Sequence, residues 1–122
     1  AGQTEERLGE LLRAVQGLAD LARAQANHHG NLVALVEHRA AESLAPILVL
    51  PATLGQGAPG ASQAPPPEHD RVLDEIVAEC CLVLGVLSLK AEYQELVAKA
   101  GAVRYLVASL KRLAAKLAGS RP

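Results

Sequence analysis

Leu18-Ala-Asp-Leu-Ala22 and Leu84-Gly-Val-Leu-Ser88 are two versions of one helical phrase. The first is followed by Leu35, Ala40, Leu44 and Leu48, the second by Val97, Ala102, Leu106 and Leu110. Two copies of a helical unit, each with an apolar face that only its neighbour can cover, predict a stacked α-solenoid, an architecture that offers partners an extended surface. The expectation is an all-α protein that binds rather than catalyses.

Superposing the long helices pairs Leu11 with Val77, Val15 with Cys81, Leu18 with Leu84 and Leu21 with Leu87, a constant offset of 66. The later helices pair Ala40 with Ala102, Leu44 with Leu106 and Leu48 with Leu110, an offset of 62, which leaves four extra residues in the first copy, assigned to 27–30. Without those four and about twenty loop residues the period is roughly 42, inside the range of armadillo and HEAT units.

Outward from the repeat, apolar spacing predicts helices over residues 4–26, 32–38 and 40–50, with residues 27–30 breaking the pattern. Pro46 predicts a kink or restart, because its ring clashes with the carbonyl four residues back and removes a hydrogen bond. Residues 51–67 are uncharged, rich in Pro and Gly, and read as a mobile insertion within a single domain spanning 1–122. Further helices are expected over 68–89, 91–100 and 102–117, with Gly101 as a break. Between Ile76 and Leu89 the only polar members are Glu79 and Ser88, so this stretch is expected to be buried nearly all round.

Composition narrows the function. Phe, Trp and Met are absent and Tyr93 and Tyr105 are the only aromatics, so the core is small and aliphatic and no stacking platform for single-stranded nucleic acid exists. A net charge of -1 supplies no pull toward phosphate backbones. Glu79 interrupts the one long apolar run, which argues against a membrane span. Glu5, Glu6, Arg7, Glu10 and Arg13 occupy the start where a secretory signal would be apolar. Cys80 and Cys81 are adjacent and have no third cysteine to pair with, which fits a reducing cytosolic or nuclear compartment. The chain starts at Ala1 and is expected to be part of something longer.

Tyr93-Gln-Glu-Leu-Val-Ala-Lys-Ala-Gly-Ala-Val-Arg-Tyr-Leu-Val107 resembles the junction of the first two helices of an armadillo repeat, a short helix ending in a small residue and Gly before an Ala-Val-x-x-Leu-Val helix. Pro67-Glu-His-Asp70, Leu84 to Val97 and Leu110-Lys-Arg112 are similar to the N-terminal armadillo region of plant armadillo/BTB proteins, as is a Pro-rich insertion before a long helix. The resemblance is strongest from Glu68 to Arg112. It implies a right-handed solenoid fragment of about one full repeat with flanking helices, acting as a protein-protein interaction scaffold. By the same resemblance the parent is a substrate adaptor of a BTB-containing ubiquitin ligase or a transcription co-regulator. In the first copy Arg39 stands where Gly101 should be and Pro46 lies inside a helix, so that copy is expected to be irregular. The contrasting architecture is a self-contained helical bundle with a structural or dimerisation role.

The third helices of armadillo units line a concave groove. The candidate partner-binding residues here are Arg13, Gln16, Asp20, Glu79, Leu82 and Val86. Gln16 and Leu82 replace the Trp, and Asp20 and Val86 the Asn, of nuclear-import adaptors, which argues against that mode of binding. The simpler account makes Leu82 and Val86 packing residues and the charges a solvated face. Glu68, Asp70, Asp74, Glu75 and Glu79 make this helix acidic, so a partner with a basic extended segment is preferred. Uncovered repeat faces also predict self-association.

No cofactor or metal is expected, since His28, His29, His38, His69 and the two cysteines lack the spacing of a zinc site. Burial of the thiols among Val77, Leu84 and Leu87 opposes nucleophilic catalysis, and no phosphate-binding or Gly-x-Ser-x-Gly motif is present.

Overall fold

Described by a computed structural model are residues 2–51 and 67–119, and among them every element is helical. The elements are α1 (Gly2–Arg23), α2 (His28–Glu37), α3 (Ala40–Leu44), a 3-10 segment (Ala45–Val49), α4 (Pro67–Ser88), α5 (Ala91–Lys99) and α6 (Ala102–Gly119). All but two ends of the expected insertion, residues 52–66, lie outside the described residues; Pro51 is buried.

Local chemistry explains the departures from the expected boundaries. Asn27 adopts a left-handed backbone with φ of 56° and turns the chain directly into α2, so His28 to Gly30 form its first turn instead of a break. Asn31 Nδ2 then donates to the Leu21 carbonyl at 3.2 Å and ties α2 to α1. At Pro46 the missing amide hydrogen stops the α pattern, and the helix tightens to 3-10 after Leu44.

The most extensive helix pairing is α1 against α4. Their N-terminal ends lie together, with His69 Nε2 3.9 Å from Glu5 Oε1, so the two helices run in the same direction. The second pairing sets α3 and the 3-10 segment against α5 and α6. Leu32, Leu44, Leu73, Ile76, Leu84 and Leu87 are completely enclosed between these layers, each contributing about 1.5–3 kcal/mol of apolar transfer free energy.

Burial corrects the internal register. Leu8 and Leu73, Val15 and Cys80, Ala19 and Leu84, and Ala22 and Leu87 are all buried, an offset of 65 rather than 66. The exposed positions obey the same offset: Glu6 with Arg71, Glu10 with Glu75, Arg13 with Ala78 and Asp20 with Gly85. For the later helices the offset of 62 holds at the helix junctions. Arg39 and Gly101 both have positive φ, 57° and 82°, and each is followed by a buried alanine, Ala40 or Ala102, that opens the next helix. At this junction the first copy follows the second, with Arg39 accepting a glycine conformation, while at Pro46 it is irregular as expected: a short helix and a 3-10 segment stand where the second copy has the continuous α6.

One further expectation fails. The stretch from Ile76 to Leu89 is not enclosed all round: Ala78 and Gly85 are exposed, and Leu89, just past the helix end, is 81% exposed. Past Glu75 small side chains, Ala78 and Gly85, form the outward strip of α4, and hydropathy does not distinguish them from core.

Candidate protein-binding face

The outward sides of α1 and α4 form the surface on which the six candidate residues lie. Arg13, Gln16 and Asp20 of α1 are exposed, whereas Glu79, Leu82 and Val86 of α4 are half-buried, the latter two packed against the core. Asp20 is engaged by Arg23 one turn on, an exposed pair. The helices are neighbours, but the corrected register shifts the rungs. Arg13 corresponds to Ala78 and Asp20 to Gly85, while Glu79, Leu82 and Val86 correspond to Ala14, Gly17 and Leu21. Arg13 and Glu79, which an offset of 66 makes equivalent, are one helical position apart.

Ala14, Gly17, Ala78 and Gly85 are exposed members of this face that apolar spacing did not single out. A Cβ at Gly17 or Gly85 would meet no atom within 4 Å, so neither glycine is required by packing and the strip between the charged side chains is open.

Two acids of α4, Asp70 and Asp74, are used inside the molecule. Arg112 Nη1 donates to Asp74 Oδ1 at 2.7 Å, and Lys116 Nζ donates to Asp74 Oδ2 at 2.8 Å and to Asp70 Oδ2 at 2.5 Å. Burial alone would push the Asp74 carboxyl up, but the hydrogen bonds and charges of Lys116 and Arg112 outweigh it and hold its pKa below the ordinary carboxylate value. Lys116 is correspondingly raised: burial lowers it, and the bonds to Asp70 and Asp74 more than reverse this. Glu75 pairs loosely with Arg71, 3.7 Å away. Among the described acids of α4, Glu75 and Glu79 remain outside the clamp, joined across the face by Glu6 and Glu10 of α1. The signal for the clamp is legible in retrospect, since Asp70 and Asp74 form an i,i+4 acidic pair and Arg112 and Lys116 an i,i+4 basic pair.

Cys80 is buried, and burial, reinforced by Cys81 and Glu79, pushes its thiol up to about 12. Cys81 is half-buried; burial raises it, and the Arg112 guanidinium partly pulls it back. Neither thiol is poised as a nucleophile at neutral pH. No cluster of His, Cys, Asp and Glu among the described residues could hold a metal ion, and no helix among them is long and apolar enough to cross a membrane.

No family model, curated protein or solved structure gives a significant match to the chain.

Proposed function

We propose that this chain is a protein-binding scaffold built as an armadillo-type right-handed α-solenoid, with the partner laid in extended form along the outward face of α1 and α4. The observation that carries this reading is that two of the three corresponding helix pairs pack together: α1 with α4 at an offset of 65, and α3 with its 3-10 continuation against α6 at an offset of 62, whereas α2 and α5 pack chiefly within their own copies. A self-contained bundle has no need of such correspondence, while translational stacking of units requires it. The parallel direction of α1 and α4 and the shared left-handed junctions at Arg39 and Gly101 support the same reading.

On this proposal Arg13, Gln16 and Asp20 supply polar contacts, and Leu82 and Val86 an apolar floor. Glu79, with Glu6 and Glu10, favours a basic segment, less strongly than composition alone implied because Asp70 and Asp74 are neutralised within the fold. The resemblance of Tyr93 to Val107 to armadillo junctions of BTB proteins extends the proposal to a cytoplasmic or nuclear adaptor in ubiquitin ligation or transcriptional control.

Titrating the labelled protein with extended Lys/Arg-rich peptides, and with acidic peptides as control, tests the face by backbone amide NMR. Shifts are expected at Arg13, Gln16, Asp20, Glu79, Leu82 and Val86 with the basic set. Perturbation confined to other surfaces, or equal response to both sets, overturns it.

A further inference from the structure

The two uncovered ends of the molecule match each other. On α6, Val103, Val107 and Leu110 form an apolar stripe at 53%, 44% and 67% exposure. At the offset of 62 their counterparts in the first copy are Ala41, Ala45 and Leu48, exposed by only 1%, 1% and 4%. Those three lie on α3 and the 3-10 segment, the elements that pack against α5 and α6. The stripe is thus the surface that the first copy buries and the second leaves open.

At the other end lies a pocket of about 330 Å³ between α1, α2 and the start of α3. Of its lining, Leu21, Ala34, Leu35, His38, Ala40 and Ser43 correspond, at offsets of 65 and 62, to Val86, Leu96, Val97, Ala100, Ala102 and Tyr105. These counterparts are all buried or half-buried, on the layer that receives α3 and the 3-10 segment. The pocket is therefore the first copy's version of a seat that is filled in the second.

Size and charge are both exchanged. Where Ala41 and Ala45 are set against elements carrying Leu96 and Tyr105, the larger Val103 and Val107 would enter a pocket lined by the smaller Ala34 and Ser43. Glu42 and Lys99 line one cleft between α3 and α5, where Lys99 pairs with Glu95 at 3.0 Å; the counterparts of Glu42 and Lys99 are Arg104 and Glu37, so the two charges facing that cleft recur with their signs reversed. Both Arg104 and Glu37 are exposed.

We infer that copies of this chain associate head to tail, the α6 stripe of one seated in the α1–α2–α3 pocket of the next, as a continuation of the internal α3–α6 interface. The inference rests on the two-unit reading above but not on partner binding along α1 and α4. Such an interface is heterologous: each copy keeps one free stripe and one free pocket, so association extends beyond a dimer.

Mixing broken halves tests this by sedimentation velocity. The unaltered chain is expected to form a concentration-dependent series heavier than a dimer. Leu110→Glu, which spoils the stripe, and Leu21→Glu, which spoils the pocket, should each remain monomeric alone and form a one-to-one dimer when combined. Circular dichroism checks that both stay helical, and the milder Arg104→Glu, restored by adding Glu37→Arg in the same chain, gives a second route should either fail to fold. A monomeric parent chain, a Leu21→Glu variant that still dimerises through α6 against α6, or a mixture that stays monomeric overturns the inference. These outcomes are read from mass alone, so they stand apart from the peptide titration.

Discussion

Arg39 and Gly101 occupy equivalent positions with φ of 57° and 82°, and only glycine adopts this conformation without steric penalty. Arg39→Gly is expected to raise stability by about 1 kcal/mol, and Gly101→Ala to lower it by a similar amount, both read as changes in urea midpoint. The Asp74 clamp sets the response to pH. Its folded carboxyl titrates below 3.8, so its contribution is present above that ordinary value and is lost as pH falls through the folded pKa. Lys116 behaves in the opposite sense: its contribution is complete below 10.5 and is lost as pH rises through the higher folded value. Asp74→Asn should cost about 1 kcal/mol at neutral pH and flatten the loss of thermal stability as pH falls below 3.8. For the thiols, Cys80 and Cys81 should react with a disulfide reagent in the native state far more slowly than after unfolding.

Among the elements, α1 and α4 carry glycines in mid-helix, Gly17 and Gly85, with open space around each. Gly17→Ala and Gly85→Ala are expected to stabilise the chain by about 1 kcal/mol each, measured by thermal unfolding, because helix propensity rises and nothing must move. If peptide binding at the same time weakens, the bare backbone there is part of the partner surface. Helix order and the Pro46 transition were legible in the sequence because propensity, proline chemistry and apolar spacing agreed. The register of α1 against α4 was not. Leucines at 8, 11, 12, 18 and 21 give α1 two plausible apolar stripes one residue apart, and only burial against α4 selects Leu8, Val15, Ala19 and Ala22. The candidate face inherits that ambiguity, since its residues were placed by the rejected offset. The Asp70–Asp74–Arg112–Lys116 clamp was missed because the pairs are about 40 residues apart and each looks like a solvated surface alone.

For the molecule as a whole, the core is made by pairing elements that are distant in the chain. The apolar side of α1 meets its counterpart only when residues 73–87 of α4 are present, and α3 waits likewise for α6. A helical protein organised this way has more non-local contacts than a simple hairpin of helices, and its folding is expected to be slower than local helix formation. During synthesis at roughly 5–20 residues per second, about 65 residues must follow Leu8 before Leu73 exists, a delay of about 3–13 seconds. Through that interval the face bearing Leu8 and Val15 lacks its α4 counterpart and has only the first copy's own elements to shelter it, so a chain ended before Leu73 is expected to aggregate more readily than the whole.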